Sequence, residues 1–375
     1  MRPRLLICGC IAQKPGQAGH TWQYLQYLLG FKRLGYDVLF LDRLEGDVVR
    51  DDRRVRYLAR VMHEFGLGDA WSIGLDGGAH AGVSRSEVLD HAAGAELLVN
   101  VMGFYTDHDV LERAPRRLFL DTDPGFGQMW RALDLADIFA GHEVHATIGE
   151  RIGAPDCTIP DCGLRWIVTR QPVVLDAWPV LPAPAGDVRF TSVASWRGAY
   201  APIDYGGRRY GLRVHQFRRF SDLPRIADAR FELALGIDAA EHEEAGRLRS
   251  RGWALVDPSR VAATPSGYRR YLQGSSAELM VAKGMYVDSQ SGWFSERSIC
   301  YLASGRPVLA QDTGLAELYP VGSGLITFSS LEGAVAGVDS IRHEYPRHAS
   351  AARELAEAYF DSDRVLSRLL AEALA

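Results

Sequence analysis

The sequence predicts an α/β protein whose two doubly wound domains face each other across a cleft and are followed by a kinked C-terminal helix. Three observations support this prediction. Short apolar runs alternate with amphipathic segments in two separate series, a proline-rich stretch divides the series, and 375 residues exceed what one hydrophobic core usually serves. Because strands that alternate with helices form parallel sheets covered on both faces, each series predicts one doubly wound domain.

The first series predicts a domain over residues 1–170. Arg4–Ile11 is a short continuous apolar run, typical of a buried parallel strand, and a glycine-containing loop follows it. A helix is predicted from near Thr21 to Gly35, where glycine ends the helical period. The Gly- and His-rich stretch Gly74–Gly82 fits either a loop at the functional face or a short surface excursion. The remaining predicted elements are strands at Asp37–Leu41, Glu96–Met102 and Arg117–Leu120 and a helix at Val55–Phe65.

A linker and a second domain follow. Residues 171–186 contain four prolines, which are excluded from helix interiors and central strands, so this stretch predicts an interdomain linker. The second domain is predicted over residues 187–346. In the tail, residues 347–375, the apolar stripe is interrupted near Asp361–Asp363, which predicts a kinked helix that packs back on the first domain. The predicted elements of the second domain are strands at Val188–Val193, Phe231–Leu235, Met285–Asp288 and Pro307–Ala310 and helices at Ala239–Arg251 and Ser295–Ala303.

Composition excludes several classes of protein. Lys and Arg total 42 against 47 Asp and Glu, and the chain has no dense basic run, which argues against nucleic acid as a partner. The apolar runs Leu5–Ile11 and Glu96–Phe104 are shorter than a membrane span, and no secretory leader is recognisable, so we expect a cytoplasmic protein without an integral membrane segment. The cysteine spacings match no zinc signature, so no metal site is expected.

The strongest local signal for a ligand is a predicted helix start at Ser295. The stretch Ser289–Ser298 is rich in hydroxyl groups and leads directly into this helix. Free backbone N–H groups and the positive end of the helix dipole bind anions, and Arg297 and Ser298 add donors suited to a phosphate. A simpler interpretation is that Ser295 is an ordinary N-cap and Arg297 a solvated surface charge.

The segment that follows carries a family resemblance. Tyr301–Glu317, followed by Gly324–Phe328, resembles the donor-binding half of GT-B glycosyltransferases of the glycogen-synthase-like, or family 4-like, branch. In that branch a loop and a helix precede a Gly-x-Pro-Val strand, a loop with a glutamate and a Gly-Leu strand. The two glutamates typical of the branch are replaced here by Gly292 and Cys300, and Ser291–Ser295 is similar to a Gly-Trp-Asn-Ser stretch of natural-product glycosyltransferases.

The resemblance implies two Rossmann-like domains facing across a cleft (GT-B). It implies a metal-independent enzyme without a cofactor, which moves a sugar from a nucleotide-diphosphate sugar to a hydroxyl of a small-molecule, natural-product-like acceptor. Lys283 fits a helix C-terminal charge equally well. The donor contacts that the resemblance implies are Arg197 and Lys283 for the diphosphate, together with Ser295, Arg297, Ser298 and Glu317.

Candidate catalytic residues lie in the first domain. His20 follows the first strand, where an imidazole can act as general base on an acceptor hydroxyl. Asp121 and Asp123 end a later strand and could orient His20 or bind the acceptor, as in the similar inverting natural-product enzymes. Simpler interpretations are an incidental loop histidine and helix-capping carboxylates. If His20 is the base, the anomeric centre inverts; if the glycogen-synthase-like resemblance extends to mechanism, the centre is retained.

Two other functions remain open at this stage. A nucleotide-sugar epimerase uses the same two-domain scaffold but needs paired acids and bases close to one sugar ring, and a non-catalytic GT-B-like binding protein needs neither. Fold alone does not separate these functions. A dinucleotide dehydrogenase is disfavoured, because Cys8–Gln13 after the first strand lacks the second glycine of the dinucleotide-binding fingerprint.

Overall fold

The computed structural model describes residues 2–46, 51–198 and 200–375. Two large sheets, one per domain, form the centres of the two halves of the molecule. In the first domain, neighbouring strands are parallel except for β3 and β4. The strands of this sheet are β1 (Arg4–Cys8), β2 (Asp37–Leu44), β3 (Trp71–Leu75), β4 (His80–Gly82), β5 (Ala95–Val101), β6 (Arg117–Asp121), β7 (Val144–Thr147) and β8 (Trp166–Val168). The helices are α1 (Ala18–Arg33), α2 (Asp52–Glu64), α3 (Arg85–Ala93), α4 (His108–Arg113) and α5 (Phe126–Ala132).

The second domain contains a parallel six-stranded sheet and a two-stranded hairpin. Its strands are β9 (Arg189–Ser195), β10 (Ile203–Tyr205), β11 (Arg208–Tyr210), β12 (Arg230–Gly236), β13 (Ala254–Val256), β14 (Ala277–Met280), β15 (Val308–Gln311) and β16 (Leu325–Phe328). Its helices are α6 (Arg213–Arg219), α7 (Leu223–Ile226), α8 (His242–Ser250), α9 (Pro258–Val261), α10 (Pro265–Gln273), α11 (Gly284–Ser289), α12 (Glu296–Ala303) and α13 (Leu331–His343), followed by the tail helices α14 (Tyr345–Leu355) and α15 (Ser362–Leu374). No helix in the described ranges is long and apolar enough to cross a membrane.

Both sheets have a topological switch point. The first sheet has the order β4-β3-β2-β1-β5-β6-β7-β8, so the direction of winding changes between β1 and β5. The second has the order β13-β12-β9-β14-β15-β16 and changes direction between β9 and β14. Ligands of open α/β sheets bind beyond the carboxyl ends of the strands at such points. The predicted fold class, two doubly wound Rossmann-like domains with a kinked terminal helix, is confirmed.

The central strand of the second domain was predicted in the wrong place. Met285–Asp288, predicted as a strand, lies inside helix α11, and the strand is β14 at Ala277–Met280. The reason is Glu278, a charged residue that interrupts the apolar run although it is fully buried in the sheet. Gly74–Gly82 comprises the end of β3, the turn and strand β4 of the hairpin at the sheet edge.

The tail returns to the first domain. A π-helical segment, Ala356–Phe360, ends at Asp361, whose side chain accepts a hydrogen bond from the backbone N–H of Asp363 and so caps α15. Helix α15 packs on α1, where a side chain at Gly30 would collide with Leu366. The chain therefore crosses between the domains twice, once through the linker and once through this kink.

A buried cluster joins the two crossings. Glu150 accepts hydrogen bonds from Arg170, at 2.8 Å from Nε, and from the hydroxyl of Tyr319 in the second domain. The Arg170 guanidinium lies over the rings of Tyr319 and Tyr359, at 5.3 and 5.4 Å from their centroids. Burial raises the pKa of Glu150 to about 7, although the nearby Arg170 opposes this shift. The cluster therefore connects the first domain, the second domain and the tail. Its central carboxyl group, Glu150, is costly to ionise.

We expect Glu150→Gln to remove part of the pH dependence of stability. The pKa of this carboxyl is higher in the folded chain than its unfolded value of about 4.3, so the folded state binds the extra proton and loses stability as pH rises toward 7. As the pH rises from about 5 to about 8, the free energy of unfolding of the variant should increase by about 1–3 kcal/mol relative to that of the parent chain. Urea unfolding at both pH values measures this, with the exposed Glu357→Gln as control. If the free energy of unfolding changed equally with pH in the parent chain, Glu150→Gln and Glu357→Gln, the expectation would be contradicted.

Candidate functional site

The cleft is formed where strand-end loops of both domains meet. Lys283 follows β14 directly, and its Nζ lies 2.6 Å from Oδ2 of Asp123, which follows β6 in the other domain. The hydroxyl of Tyr286 donates a hydrogen bond to the second oxygen of Asp123. The ring centroids of Phe126, Tyr200 and Tyr286 lie 5.2–5.8 Å from the same Nζ. Lys283 is thus the central cation of the cleft, held by one carboxylate and enclosed by three aromatic rings.

Tyr200 closes one side of the cleft. It lies in the loop after β9, and its ring packs against Phe126 and Trp130 of α5 in the first domain, with centroid distances of 4.9 and 5.0 Å. Burial raises the pKa of Tyr200 to about 12, and the negative charges of Asp123, Cys10 and Asp121 act in the same direction. The aromatic wall therefore borders the polar groups of both domains.

Arg213 is a second cation beside Lys283. It opens α6, after the β10–β11 hairpin, and its Nη1 lies 3.4 Å from the carbonyl oxygen of Ser195 at the end of β9. Its Nε is buried without a hydrogen-bond partner, and no ion pair to Arg213 exists within the described ranges. Burial lowers the pKa of Arg213, and the positive charge of Arg297 lowers it further. An incompletely paired guanidinium at the β9–β14 switch point creates a place where an anion would be stabilised.

Arg297 lies beneath this point rather than on the surface. Its Nε is 2.5 Å from Oε1 of Glu278 and its Nη1 donates to the carbonyl oxygen of Val193 at 2.7 Å, while the side chains of Arg297 and Glu278 are 7% and 0% exposed. The alternative of a solvated surface charge is therefore wrong. The predicted direct contact of Arg297 with the donor is also not what the geometry favours, because its guanidinium is already engaged by buried acceptors.

The other predicted donor residues are distributed around the start of α12. Ser295 is the N-cap, accepting from the backbone N–H of Arg297 at 3.3 Å, as the simpler interpretation holds. Ser298 is fully buried with its hydroxyl 3.2 Å from the sulfur of Met280, so we assign it to the support of the site, not to ligand contact. Arg197 is 57% exposed and pairs with Glu241 at 2.6 Å, and Glu317 is exposed in the turn after β15.

His20 lies in the first turn of α1, not in the preceding loop. Its Nε2 is 3.2 Å from the sulfur of Cys10, where the sequence predicted a carboxylate. Burial lowers the pKa of His20 to about 3, and the positive charge of Lys14 lowers it further. The predicted orientation of His20 by an aspartate is therefore wrong, and its uncharged imidazole is a weak proton acceptor at neutral pH.

Asp121 and Asp123 have different roles. Asp121 is buried, and accepts hydrogen bonds from Gln128 at 2.7 Å and Thr147 at 2.9 Å, which fixes the turn after β6. Burial raises its pKa to about 6, against these hydrogen bonds. Asp123 instead faces the cleft and binds Lys283. The site thus unites Lys283 with Asp123, which the sequence analysis had assigned separately to the donor and to catalysis, and leaves His20 with Cys10.

The sequence analysis missed Arg213, Tyr200 and Tyr286. Arg213 is separated from β9 by the β10–β11 hairpin, so no short motif links it to the strand end. Tyr286 was assigned to a strand that is a helix, which hid its direction toward Asp123. Among the described residues, no three His, Cys, Asp or Glu side chains are arranged to hold a metal ion.

Comparisons with known proteins place this geometry in a fold class. The sequence matches no protein-family model and no curated protein. Solved structures do match over almost the whole chain. An alpha-glucosyltransferase in complex with UDP has a TM-score of 0.60 and 10% identity, covering 99% of this chain and 100% of its own. HepE from Anabaena, in complex with UDP and glucose, has a TM-score of 0.58 and 13% identity, covering 99% and 98%.

A glycosyltransferase from Rickettsia africae matches with a TM-score of 0.53 and 10% identity, covering 99% of this chain and 98% of its own. The two sheets, the cleft between them and the C-terminal return to the first domain therefore form the GT-B fold. The chain has the fold of GT-B glycosyltransferases, as the resemblance in its second half implied.

Proposed function

We propose that this protein is a glycosyltransferase that transfers a sugar from a nucleoside-diphosphate sugar to an acceptor hydroxyl. One observation carries the proposal: Lys283 and Arg213 flank the β9–β14 switch point, and Arg213 lacks an anionic partner among the described residues. A diphosphate supplies two to three negative charges to such a pair and accepts charge-assisted hydrogen bonds. The structural neighbours solved with UDP make a uridine nucleotide the first donor to test.

The cations would act mainly on the leaving group. As the bond between the anomeric carbon and the phosphate oxygen breaks, negative charge grows on the diphosphate, and preorganised cations stabilise that charge. Arg297 adds a fixed positive charge below, held by Glu278. Because these groups are positioned before the reaction, they avoid the reorganisation that water would require.

The stereochemical outcome that we propose is retention. His20, whose pKa is lowered to about 3, is a weak base for the acceptor hydroxyl. A departing phosphate oxygen can accept that proton instead, while the acceptor oxygen bonds to the anomeric carbon from the same face. The phosphate then leaves with the bonding electron pair and the proton, and the sugar is bonded to the acceptor oxygen. No protein base is needed. The absence of a dense basic run in a chain of net charge −5 favours a small-molecule acceptor over nucleic acid.

Titration calorimetry with UDP tests the donor site directly. We expect Lys283→Met to weaken UDP binding about tenfold, because one charge-assisted contact to phosphate is lost. Lys32→Met is the matched control, since Lys32 is exposed on α1 and donates to the carbonyl oxygen of Gly66. If UDP, UDP-glucose and other nucleoside diphosphates all fail to bind the parent chain, the proposal is wrong and a non-catalytic fold relative remains.

The Lys283–Asp123 bridge provides an independent test. To bind the ammonium group of Lys283, a diphosphate must displace Asp123. Asp123 therefore competes with the donor for Lys283. We expect Asp123→Asn to strengthen UDP binding roughly two- to fivefold, the range of a partly exposed ion pair. Calorimetry on this variant and on the control Asp90→Asn, an exposed carboxylate paired with Arg4, measures the effect. Weaker UDP binding in Asp123→Asn alone would show that the carboxylate supports the donor instead.

A further inference from the structure

A groove on the first domain extends away from the Lys283 cleft. It lies beyond the carboxyl ends of β1, β2 and β5 and beside the β3–β4 hairpin, next to the first switch point. Two cavities of about 360 and 530 Å³ both border Arg43 and Thr106 and so adjoin each other; we refer to them together as the groove. Volumes in this range suit a small organic ligand. Because the opposite domain holds the proposed donor site, this groove is the natural place for the acceptor.

The loop at the inner end of the groove is firmly held. Buried Asp42 accepts hydrogen bonds from the backbone N–H of Ala12 at 2.6 Å and from the side chain of Gln13 at 3.1 Å. Arg54 donates to the carbonyl oxygen of Gln13 at 2.5 Å. A groove wall fixed in this way can position a ligand with little loss of conformational entropy.

The charged side chains of the groove are largely balanced in pairs. Arg43 Nε lies 2.7 Å from Glu45, and Arg85 lies 2.7 Å from Asp107 and 2.5 Å from Asp109. A strongly anionic or cationic ligand would gain from one member of each pair and be repelled by the other. In each pair, a guanidinium donor lies beside a carboxylate acceptor. This arrangement suits a neutral ligand with many hydroxyl groups, because each hydroxyl can both donate and accept a hydrogen bond.

The groove has little apolar surface for a flat aromatic acceptor. Phe104 is the one Phe, Tyr or Trp among the described lining residues, in addition to the imidazoles of His80 and His108. The Nζ of Lys14 lies over the ring of Phe104 at 5.3 Å. Sites for drug-like aromatic ligands are predominantly apolar. An apolar acceptor here would cover these ion pairs without offering them hydrogen bonds, and removing them from water costs free energy. One partly covered ring beside polar walls suits the apolar face of a sugar ring.

The loop after β1 connects the groove with the second domain. Gln13 of this loop lines the groove, and the Nζ of Lys14 lies over the ring of Phe104. Where the loop ends, the backbone N–H of Ala18 donates a hydrogen bond to the carbonyl oxygen of Ala262 in the second domain, at 3.0 Å. The inner wall of the groove is therefore in contact with the domain that holds the proposed donor site.

We infer that the acceptor is a neutral, polyhydroxylated molecule, a carbohydrate, and that Arg43 and Phe104 determine this specificity. The inference rests on the proposed function and narrows its acceptor. It narrows the small-molecule, natural-product-like acceptor expected from the sequence to a carbohydrate. Arg43 supplies paired donors to adjacent hydroxyls, and Phe104 packs on the ring face.

Saturation-transfer NMR on the full chain with UDP present tests the inference. The probes are neutral gluco-, galacto- and manno-configured trisaccharides and, for comparison, the flat phenols quercetin and 4-methylumbelliferone. We expect at least one trisaccharide and neither phenol to bind. Arg43→Met and Phe104→Ala should each weaken trisaccharide binding about tenfold, the loss of one or two polar contacts or one ring contact. Arg53→Met, on an exposed cation of α2 outside the groove, is the control and should bind normally.

Donor binding is measured by calorimetry on the same samples. UDP affinity should be equal in the parent, Arg43→Met and Phe104→Ala. Binding of the phenols, no binding of any trisaccharide, or trisaccharide binding that is unchanged in both groove variants overturns the inference. Each of these outcomes with normal UDP binding leaves the proposed donor function intact, whereas loss of UDP binding in the parent chain removes the proposed function itself.

Discussion

We expect Arg297→Met to lower the free energy of unfolding by about 3–5 kcal/mol, the cost of leaving one partner of a buried ion pair uncompensated. Glu278 is fully buried in the central strand β14, and Arg297 is its ion-pair partner in the described structure. Burial already raises the pKa of Glu278, and Arg297 is the main group that opposes this. The guanidinium also holds the Val193 carbonyl at the end of β9. Urea unfolding measures the loss.

Two comparisons separate this role from ligand binding. Replacing both partners, Arg297→Met with Glu278→Leu, should recover part of the stability, because no buried charge then remains. Arg251→Met, at a more exposed ion pair with Asp222, should change the free energy by about 1 kcal/mol or less. If Arg297→Met kept the parent unfolding midpoint but lost UDP binding, Arg297 would be a donor contact, as the sequence first suggested.

We expect Arg213→Met to weaken UDP binding by about 2–3 kcal/mol, roughly 30- to 150-fold. The residue has a buried Nε without a partner and lies next to Arg297, so a diphosphate would satisfy charge that the protein leaves unbalanced. We expect the variant to be about as stable as the parent chain, since it removes no ion pair and only one long hydrogen bond, from Nη1 to the Ser195 carbonyl oxygen at 3.4 Å. Titration calorimetry and urea unfolding measure the two effects.

The combination of weaker binding with undiminished stability is the distinctive result. Arg209→Met is the matched control, because Arg209 forms an exposed pair with Asp204 in the neighbouring hairpin. It should bind UDP like the parent. UDP affinity that is equal in Arg213→Met and Arg209→Met would place the diphosphate elsewhere in the cleft.

The elements that the sequence predicted well are those in which local pattern and burial agree. β1 and β2 are largely apolar runs that the structure buries in the sheet, and the N-cap of α12 is a serine before a helical run. β14 was missed because its buried charge, Glu278, is balanced by a residue from a later helix. Such compensation depends on tertiary structure, and a pattern of single residues does not contain it.

The same limit explains the candidate site. Lys283 was chosen from the family resemblance, as a basic residue beyond the loop that follows β9, and Asp123 because it lies at the end of a predicted strand; their ion pair was not predicted. Arg213 and Tyr200 acquire their positions from a hairpin that folds back toward the first domain, which no local spacing indicates. His20 was located correctly near the first strand end, but the thiol beside it comes from backbone geometry rather than from a motif.

The return of α15 to α1 has a consequence for synthesis. The second domain is continuous in the chain. The first domain, in contrast, buries the surface of α1 only after the last helix, with Leu366, has packed against it. Arg33 likewise forms its ion pair with Asp363, at 3.1 Å, only after the tail has packed. During translation, the N-terminal part of the protein therefore emerges first yet completes its packing last. The ribosome would release a second domain that is already closed, together with a first domain that still exposes an apolar stripe for the final helix.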